Sequence, residues 1–193
     1  MRTVFFDVDT QLDFLYPAGA LYAPGAESIV PAVAALNRYA AAHGIPVIST
    51  MDAHTEDDPE FRTWPHHCVA GTHGQQKPSA TLLEKRVVLP NALCSVDIAG
   101  AQQVLLEKQT VDCFDCVNLD DVLAKLGAER YVVYGVVTEI CVKLAAMGLL
   151  RMGRRVEIVT DAVRALSSEE GARTLAEFTA AGGLLVSAAG VVA

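Results

Sequence analysis

Short apolar runs rich in β-branched and aromatic residues alternate along this chain with stretches whose apolar positions recur at helical spacing. Residues 2–9 (Arg-Thr-Val-Phe-Phe-Asp-Val-Asp) predict a strand that ends in acids, and a helical pattern runs from Ala26 to His43 after a loop bearing Pro and Gly. Gly44 stops that helix, and Ile45–Met51 predicts a strand that runs into another acid, Asp52. Residues 53–101 show little periodicity and are rich in His, Pro, Gly and Asp, with Arg86–Leu89 as a short strand inside them. Loops of that length in a compact domain are usually functional or disordered. Gln103–Lys108 predicts a strand ending on lysine. Asn118 then caps a predicted helix over Leu119–Leu126, which Gly127 stops.

The most apolar run is Tyr131–Val137. Val132, Val133, Val136 and Val137 suit a parallel strand buried on both faces, and Gly135 permits a tight turn at its end. A helix is predicted from Glu139 to Met152 with Thr138 as N-cap, followed by a strand over Arg154–Thr160. Ser167-Ser-Glu-Glu170 has capping-box spacing for a helix to about Ala181, and Leu184–Ser187 predicts a last strand. This alternation predicts the α/β class: a three-layer α/β/α architecture on a doubly wound, mainly parallel sheet. The length, 193 residues, suits one domain spanning 1–193.

Composition removes several functions. Hydrophobic residues make up 52% of the chain, yet no uninterrupted apolar run approaches the roughly 20 residues of a membrane span. A net charge of -8 without clustered Lys or Arg argues against nucleic acid as a partner. The N-terminal residues lack the basic, apolar and small-residue succession of a signal peptide, so the cytoplasm is expected. Five cysteines, an odd count without disulfide-framework spacing, fit a reducing compartment. Self-association is left open.

Open α/β sheets bind ligands beyond the carboxyl ends of their strands, and Asp9, Asp52, Lys108 and Cys141 each fall at such an end. Each has an ordinary explanation: Cys141 as one more small buried residue, Asp9 and Lys108 as an ion pair. Four functional residues from four strands on one edge are harder to explain by packing. If Thr138 caps its helix, Cys141 lies in the first turn, where free N–H groups and the helix dipole lower a thiol pKa. A nearby lysine favours the thiolate, and an aspartate can take the thiol proton and return it to a leaving amine. Backbone N–H groups of Val137 and Cys141 could supply an oxyanion hole. Separately, Asp52-x-His54 and Trp64-Pro-His-His67-Cys68 offer one carboxylate and imidazoles, a plausible set for zinc, iron or manganese with positions left open.

At these residues the chain resembles the isochorismatase-like cysteine hydrolases and, within them, the nicotinamidases. Asp9-Thr-Gln-Leu-Asp-Phe14 is similar to the D-x-Q-x-D-F opening of that superfamily, and Asp52-Ala-His54 to the nicotinamidase metal motif. Trp64-Pro-His-His-Cys-Val-Ala-Gly-Thr72 is similar to the W-P-x-H-C-V-x-G-T segment, and Gly135-Val-Val-Thr-Glu-Ile-Cys141 to the nucleophile turn. The resemblance implies Asp9, Lys108 and Cys141 as a catalytic triad. It implies Asp52, His54 and His67 as ligands of one divalent ion, zinc first and iron or manganese as alternatives, and a cis peptide between Val136 and Val137. Phe14 and Trp64 would flank a flat aromatic amide whose ring nitrogen reaches the ion. The implied reaction is hydrolysis of nicotinamide to nicotinate and ammonia through a thioester, as in NAD salvage. The alternative is a related hydrolase acting on another small amide, carbamoyl compound or vinyl ether.

The chain departs from that pattern twice. Glu60 stands where some nicotinamidases carry a further metal-proximal histidine, and is either an additional ligand or a surface acid. Gln109-Thr-Val-Asp-Cys-Phe-Asp-Cys116 replaces the usual glycine and Tyr/Ser-rich stretch after the lysine. Cys113-x-x-Cys116 lacks the further ligands of a closed zinc site and reads as a pair of packing cysteines; His66 and His73 read as exposed.

Overall fold

Phe5 and Phe6 are adjacent in the first strand and must bury on opposite faces, which requires a layer on each side of the sheet. In the computed structural model, which describes residues 1–193, both rings are 0–1% exposed. Strand β1 (Thr3–Val8) lies at the centre of a seven-stranded sheet. The others are β2 (Val47–Asp52), β3 (Arg86–Leu89), β4 (Gln103–Lys108), β5 (Arg130–Val136), β6 (Arg155–Arg164) and β7 (Leu184–Val186). Their order is β3-β4-β2-β1-β5-β6-β7, and every neighbouring pair is parallel.

Helices α1 (Leu12–Leu15), α2 (Val30–Ala42), α3 (Leu119–Leu126), α4 (Lys143–Arg151), α5 (Ser168–Ala180) and α6 (Ala188–Val191) complete the chain. Val4, Phe6 and Val8 pack with Val122 of α3, Leu149 of α4 and Phe178 of α5. Phe5 packs on the other face with Val33 and Leu36 of α2. Burying each of these aromatic rings stabilises the fold by roughly 2–3 kcal/mol. No helix is long and apolar enough to cross a membrane.

From β1 the chain winds outward through β2 in one direction and, after β5, through β6 in the other. The β1/β5 boundary is therefore the switch point at which such sheets form a crevice. The loop after β2 starts beside this crevice and runs to the other edge of the sheet, where Leu83 N–H donates to Gln103 Oε1 at 2.7 Å. His54 N–H donates to Cys68 O at 3.2 Å and Ala70 N–H to His54 O at 2.9 Å, so the two histidine-bearing segments pair side by side.

Three local expectations change. Thr138 is not the cap before Cys141: the Val137 carbonyl accepts from both Ile140 N–H and Val142 N–H at 3.1 Å, so Val137 caps a π-helical turn over Thr138–Val142 that leads into α4. The buried Thr138 side chain makes no cap bond. Asn118 precedes α3 but does not cap it with its side chain; Nδ2 donates to Pro90 O at 2.7 Å and Ala92 O at 2.9 Å, satisfying loop carbonyls instead. Strand β6 runs past Thr160 to Arg164, because after a register shift Gly135 and Val136 pair with Val163 and Arg164. Ser167 caps α5 as its spacing predicts, accepting from Glu170 N–H at 3.3 Å.

At that register shift Gly135 has φ 120, and a Cβ built on it falls 2.0 Å from Val8 O. Gly135→Ala adds steric overlap with backbone to a conformation that L-residues avoid. It is expected to cost about 3 kcal/mol or more, which lowers the melting temperature by roughly 10 °C. Thermal unfolding by circular dichroism checks this, and a wild-type melting temperature would contradict it.

Candidate active site

The carboxyl ends of four adjacent strands, β4, β2, β1 and β5, deliver Lys108, Asp52, Asp9 and the turn bearing Cys141. Asp52 and Lys108 are register partners, so their side chains leave the sheet side by side. The Lys108 ammonium is 1% exposed; it donates to Asp52 Oδ1 and to Thr110 O at 2.9 Å, and Asp9 Oδ2 stands 2.9 Å from it as a second carboxylate of an ion-pair group. Burial alone would drive its proton off, but Asp52 and Asp9 outweigh that and hold its pKa well above the ordinary value. Against its own burial, Asp52 is held far below the carboxylate range by Lys108 and its histidine neighbours. Burial pushes Asp9 up while Lys108 pulls against it. Asp9 also accepts from Thr50 Oγ1 at 2.7 Å and adopts φ 48, a left-handed conformation that turns the chain out of β1.

Cys141 is buried at the base of the same pocket, which Asp9, Val137 and Ile140 also line. A helix N-terminus beside Cys141 predicts a lowered thiol pKa. Instead burial pushes it well above the ordinary value; Lys108 draws it down, but the Asp9 and Asp52 carboxylates push it up. The resting group is a thiol beside a carboxylate that can take its proton. The Val136–Val137 peptide is cis, as the resemblance implies.

One ligand atom from each of Asp52, His54 and His67 lies within 4.8 Å of the others, and all three residues are buried. His54 Nε2 and His67 Nε2 each stand 3.8 Å from Asp52 Oδ2. The opposite ring nitrogens are engaged, His54 Nδ1 with Asp58 Oδ2 at 3.0 Å and His67 Nδ1 with Pro65 O at 2.7 Å. Both Nε2 atoms are thus turned inward, and that of His54 is buried with no hydrogen-bond partner. This donor set fits a divalent transition ion. Glu60 lies outside the compact group but lines the pocket, where burial and Asp52 raise its pKa.

Phe14 and Trp64 both reach the pocket, which is completed by Leu21, Val111, Val136 and Leu166. Cys113 and Cys116 are free, buried thiols; Cys116 Sγ donates to Glu107 O at 3.3 Å, and burial raises both pKa values. His66 and His73 are exposed, and His66 stacks on Phe61 with ring centroids 4.1 Å apart.

Several supporting residues escape sequence reasoning. Gln11 clamps the Asp52 backbone from both sides, donating to Asp52 O at 2.8 Å and accepting from Asp52 N–H at 2.7 Å. Asp13 accepts from Cys68 N–H at 2.7 Å, and the neighbouring Phe14 ring lies 5.3 Å from that of His67. Gln11 and Asp13 belong to the D-x-Q-x-D-F opening, so the signal was present without the role. Asp58, one of several acids in a polar loop, carried none.

Residues 3–190 match the isochorismatase domain family. A nicotinamidase of Escherichia coli (strain K12) is 26% identical over 208 residues, covering 92% of this chain and 91% of that protein. The crystal structure of a pyrazinamidase of Pyrococcus horikoshii in complex with zinc superposes with a TM-score of 0.80 at 28% identity, covering 97% of this chain and 99% of the other. A pyrazinamidase/nicotinamidase from Streptococcus mutans UA159 gives a TM-score of 0.81 at 25% identity, covering 95% and 99%.

The charges around Cys141 make a signed prediction. Lys108→Met removes the group that lowers the thiol pKa, and Asp9→Asn removes one that raises it. The pH of half-maximal alkylation of Cys141 by iodoacetamide should therefore move up in the first variant and down in the second. The reverse order would contradict the arrangement.

Proposed function

The chain belongs to the isochorismatase domain family, and on that premise we propose that it is a nicotinamidase-like amidohydrolase that converts nicotinamide to nicotinate and ammonia. The observation that carries this reading is a pocket lined by Asp9, Cys141, Asp52 and His67, with Lys108 bridging Asp9 and Asp52 behind it and His54 completing the donor group with Asp52 and His67. A thiol beside a carboxylate suits attack on an amide; a donor set with open positions suits an amide that carries a ring nitrogen.

In this mechanism the pyridine ring lies between Phe14 and Trp64, with its carboxamide carbon over Cys141 Sγ. Asp9 takes the thiol proton as the sulfur attacks, so charge moves within a site that already holds it and no free thiolate need accumulate. Lys108 stays protonated throughout and keeps Asp9 and Asp52 from repelling each other. Backbone N–H groups of Val137 and Cys141 receive the oxyanion. Asp9 then returns the proton to the departing ammonia, leaving a thioester on Cys141 that water hydrolyses, with Asp9 again as base. Asp52, His54 and His67 would hold one divalent ion, zinc before iron or manganese, whose chemistry is to accept the ring nitrogen and fix the ring's orientation. Glu60 is a further carboxylate available to it.

Ammonia release from nicotinamide tests the activity. Cys141→Ala should lower it by about 1000-fold or more while leaving the fold intact. Substantial residual turnover would remove Cys141 from the reaction.

The metal makes a separate expectation. Chelator-stripped protein, or His54→Ala, should show a sharply raised KM for nicotinamide while Cys141 remains open to alkylation. Benzamide, which keeps the carboxamide and lacks the ring nitrogen, should be a poor substrate of the metal-loaded enzyme. Full activity without metal, or benzamide turned over as well as nicotinamide, would contradict this role for the ion. Preference for another carboxamide or a carbamoyl compound would instead assign one of the family's other hydrolytic activities.

A further inference from the structure

Asp58 is not part of the donor set, yet it is 8% exposed in a loop otherwise rich in solvent-facing acids. Its two carboxylate oxygens are divided between two tasks. Oδ2 faces His54 Nδ1 at 3.0 Å, and Oδ1 accepts from Glu60 N–H at 2.9 Å, capping the short 3₁₀ turn Pro59–Arg62. That turn leads directly to the pocket wall: Trp64 N–H donates to Glu60 O at 3.0 Å, and the Phe61 ring packs 5.2 Å from His54 and 5.7 Å from His67. At the far end of the same loop, Pro65 O meets His67 Nδ1 at 2.7 Å. One segment, 58–65, therefore supplies the outer acceptor for both inward-facing histidines and carries Trp64 between them.

We propose that Asp58 is a positioning residue that fixes His54 with Nε2 toward the metal and ties that ligand to the turn bearing Trp64, so that metal binding and formation of the aromatic pocket wall are coupled. The inference rests on the metal-centre reading above. An imidazole that donates Nδ1–H to a carboxylate has its Nε2 lone pair free and becomes a stronger ligand. Tightening that bond on metal binding pulls on a carboxylate whose other oxygen holds the turn. Coupling therefore needs no contact between Trp64 and the ion.

The chain contains one tryptophan, so its fluorescence reports on this wall alone. Zinc affinity, by chelator competition, and Trp64 emission would be followed as zinc is added to metal-stripped wild type, Asp58→Ala, Asp58→Asn and His54→Ala. In the wild type, emission should change in step with zinc occupancy. Asp58→Ala should bind zinc roughly 10- to 100-fold more weakly, with a diminished emission change at saturation. Asp58→Asn, which keeps an acceptor and loses the charge, should fall between them; it also carries the test if the alanine variant does not fold. Wild-type affinity together with a wild-type emission change in the folded Asp58 variants would overturn the proposal while leaving the metal centre standing. A wild-type protein that takes up no zinc, or His54→Ala that binds as tightly as wild type, would overturn the metal centre and the proposal with it.

Discussion

An ammonium ion buried away from water costs several kcal/mol unless every proton finds an acceptor and its charge finds a counterion. Lys108 has its counterions only because β4 lies beside β2 and β2 beside β1, so that Asp52 and Asp9 reach the same Nζ. The dependence runs the other way as well: without Lys108 two carboxylates would share a buried site, and one would take up a proton. Lys108 thereby joins two halves of the pocket. Through Asp9 it reaches the wall that also holds Cys141, and through Asp52 it reaches the cluster formed with His54 and His67. Its pKa stands well above the ordinary value, so it acts as a fixed charge, and the proposed mechanism gives the proton exchange with the thiol to Asp9.

Around that fixed charge the scaffold restricts each participant from the backbone side. Gln11 holds both the N–H and the carbonyl of Asp52, Thr50 holds Asp9 through its hydroxyl, and Asp13 holds the chain beside His67. Such backing matters because a donor set without it would relax toward solvent or toward self-paired ions. The pairing of His54 with the Cys68–Ala70 segment serves the same end, fixing the two histidine-bearing parts of a long aperiodic stretch against each other.

Much of this was legible in the sequence, for identifiable reasons. Strand ends are visible where β-branched runs stop, so Asp9, Asp52 and Lys108 could be placed on one edge before their distances were known. Gln103–Lys108 and Leu119–Leu126 have the predicted limits, because a lysine and a glycine punctuate them. Sheet order was not legible: nothing local says that β3 lies outside β4, and the adjacency of β4 to β2 creates the Lys108–Asp52 contact. Thr138 misled because cap propensity is local, whereas the π-helical turn is closed by the Val137 carbonyl. The thiol pKa misled for a related reason: the helix terminus is a sequence-level inference, but burial and the nearness of two carboxylates are properties of the assembled fold. Asp58 was hidden among neighbouring acids that only the fold tells apart.

The central claim is that Cys141 forms a covalent intermediate with the substrate's acyl group. Rapid acid quench of the metal-loaded enzyme during turnover of nicotinamide, followed by intact-mass and peptide mass spectrometry, tests it most directly. The account predicts a nicotinoyl adduct on the peptide bearing Cys141, formed before steady state and absent from Cys141→Ala. Steady ammonia release with no adduct while an early burst of ammonia is resolved, or an adduct on a different residue, would contradict it.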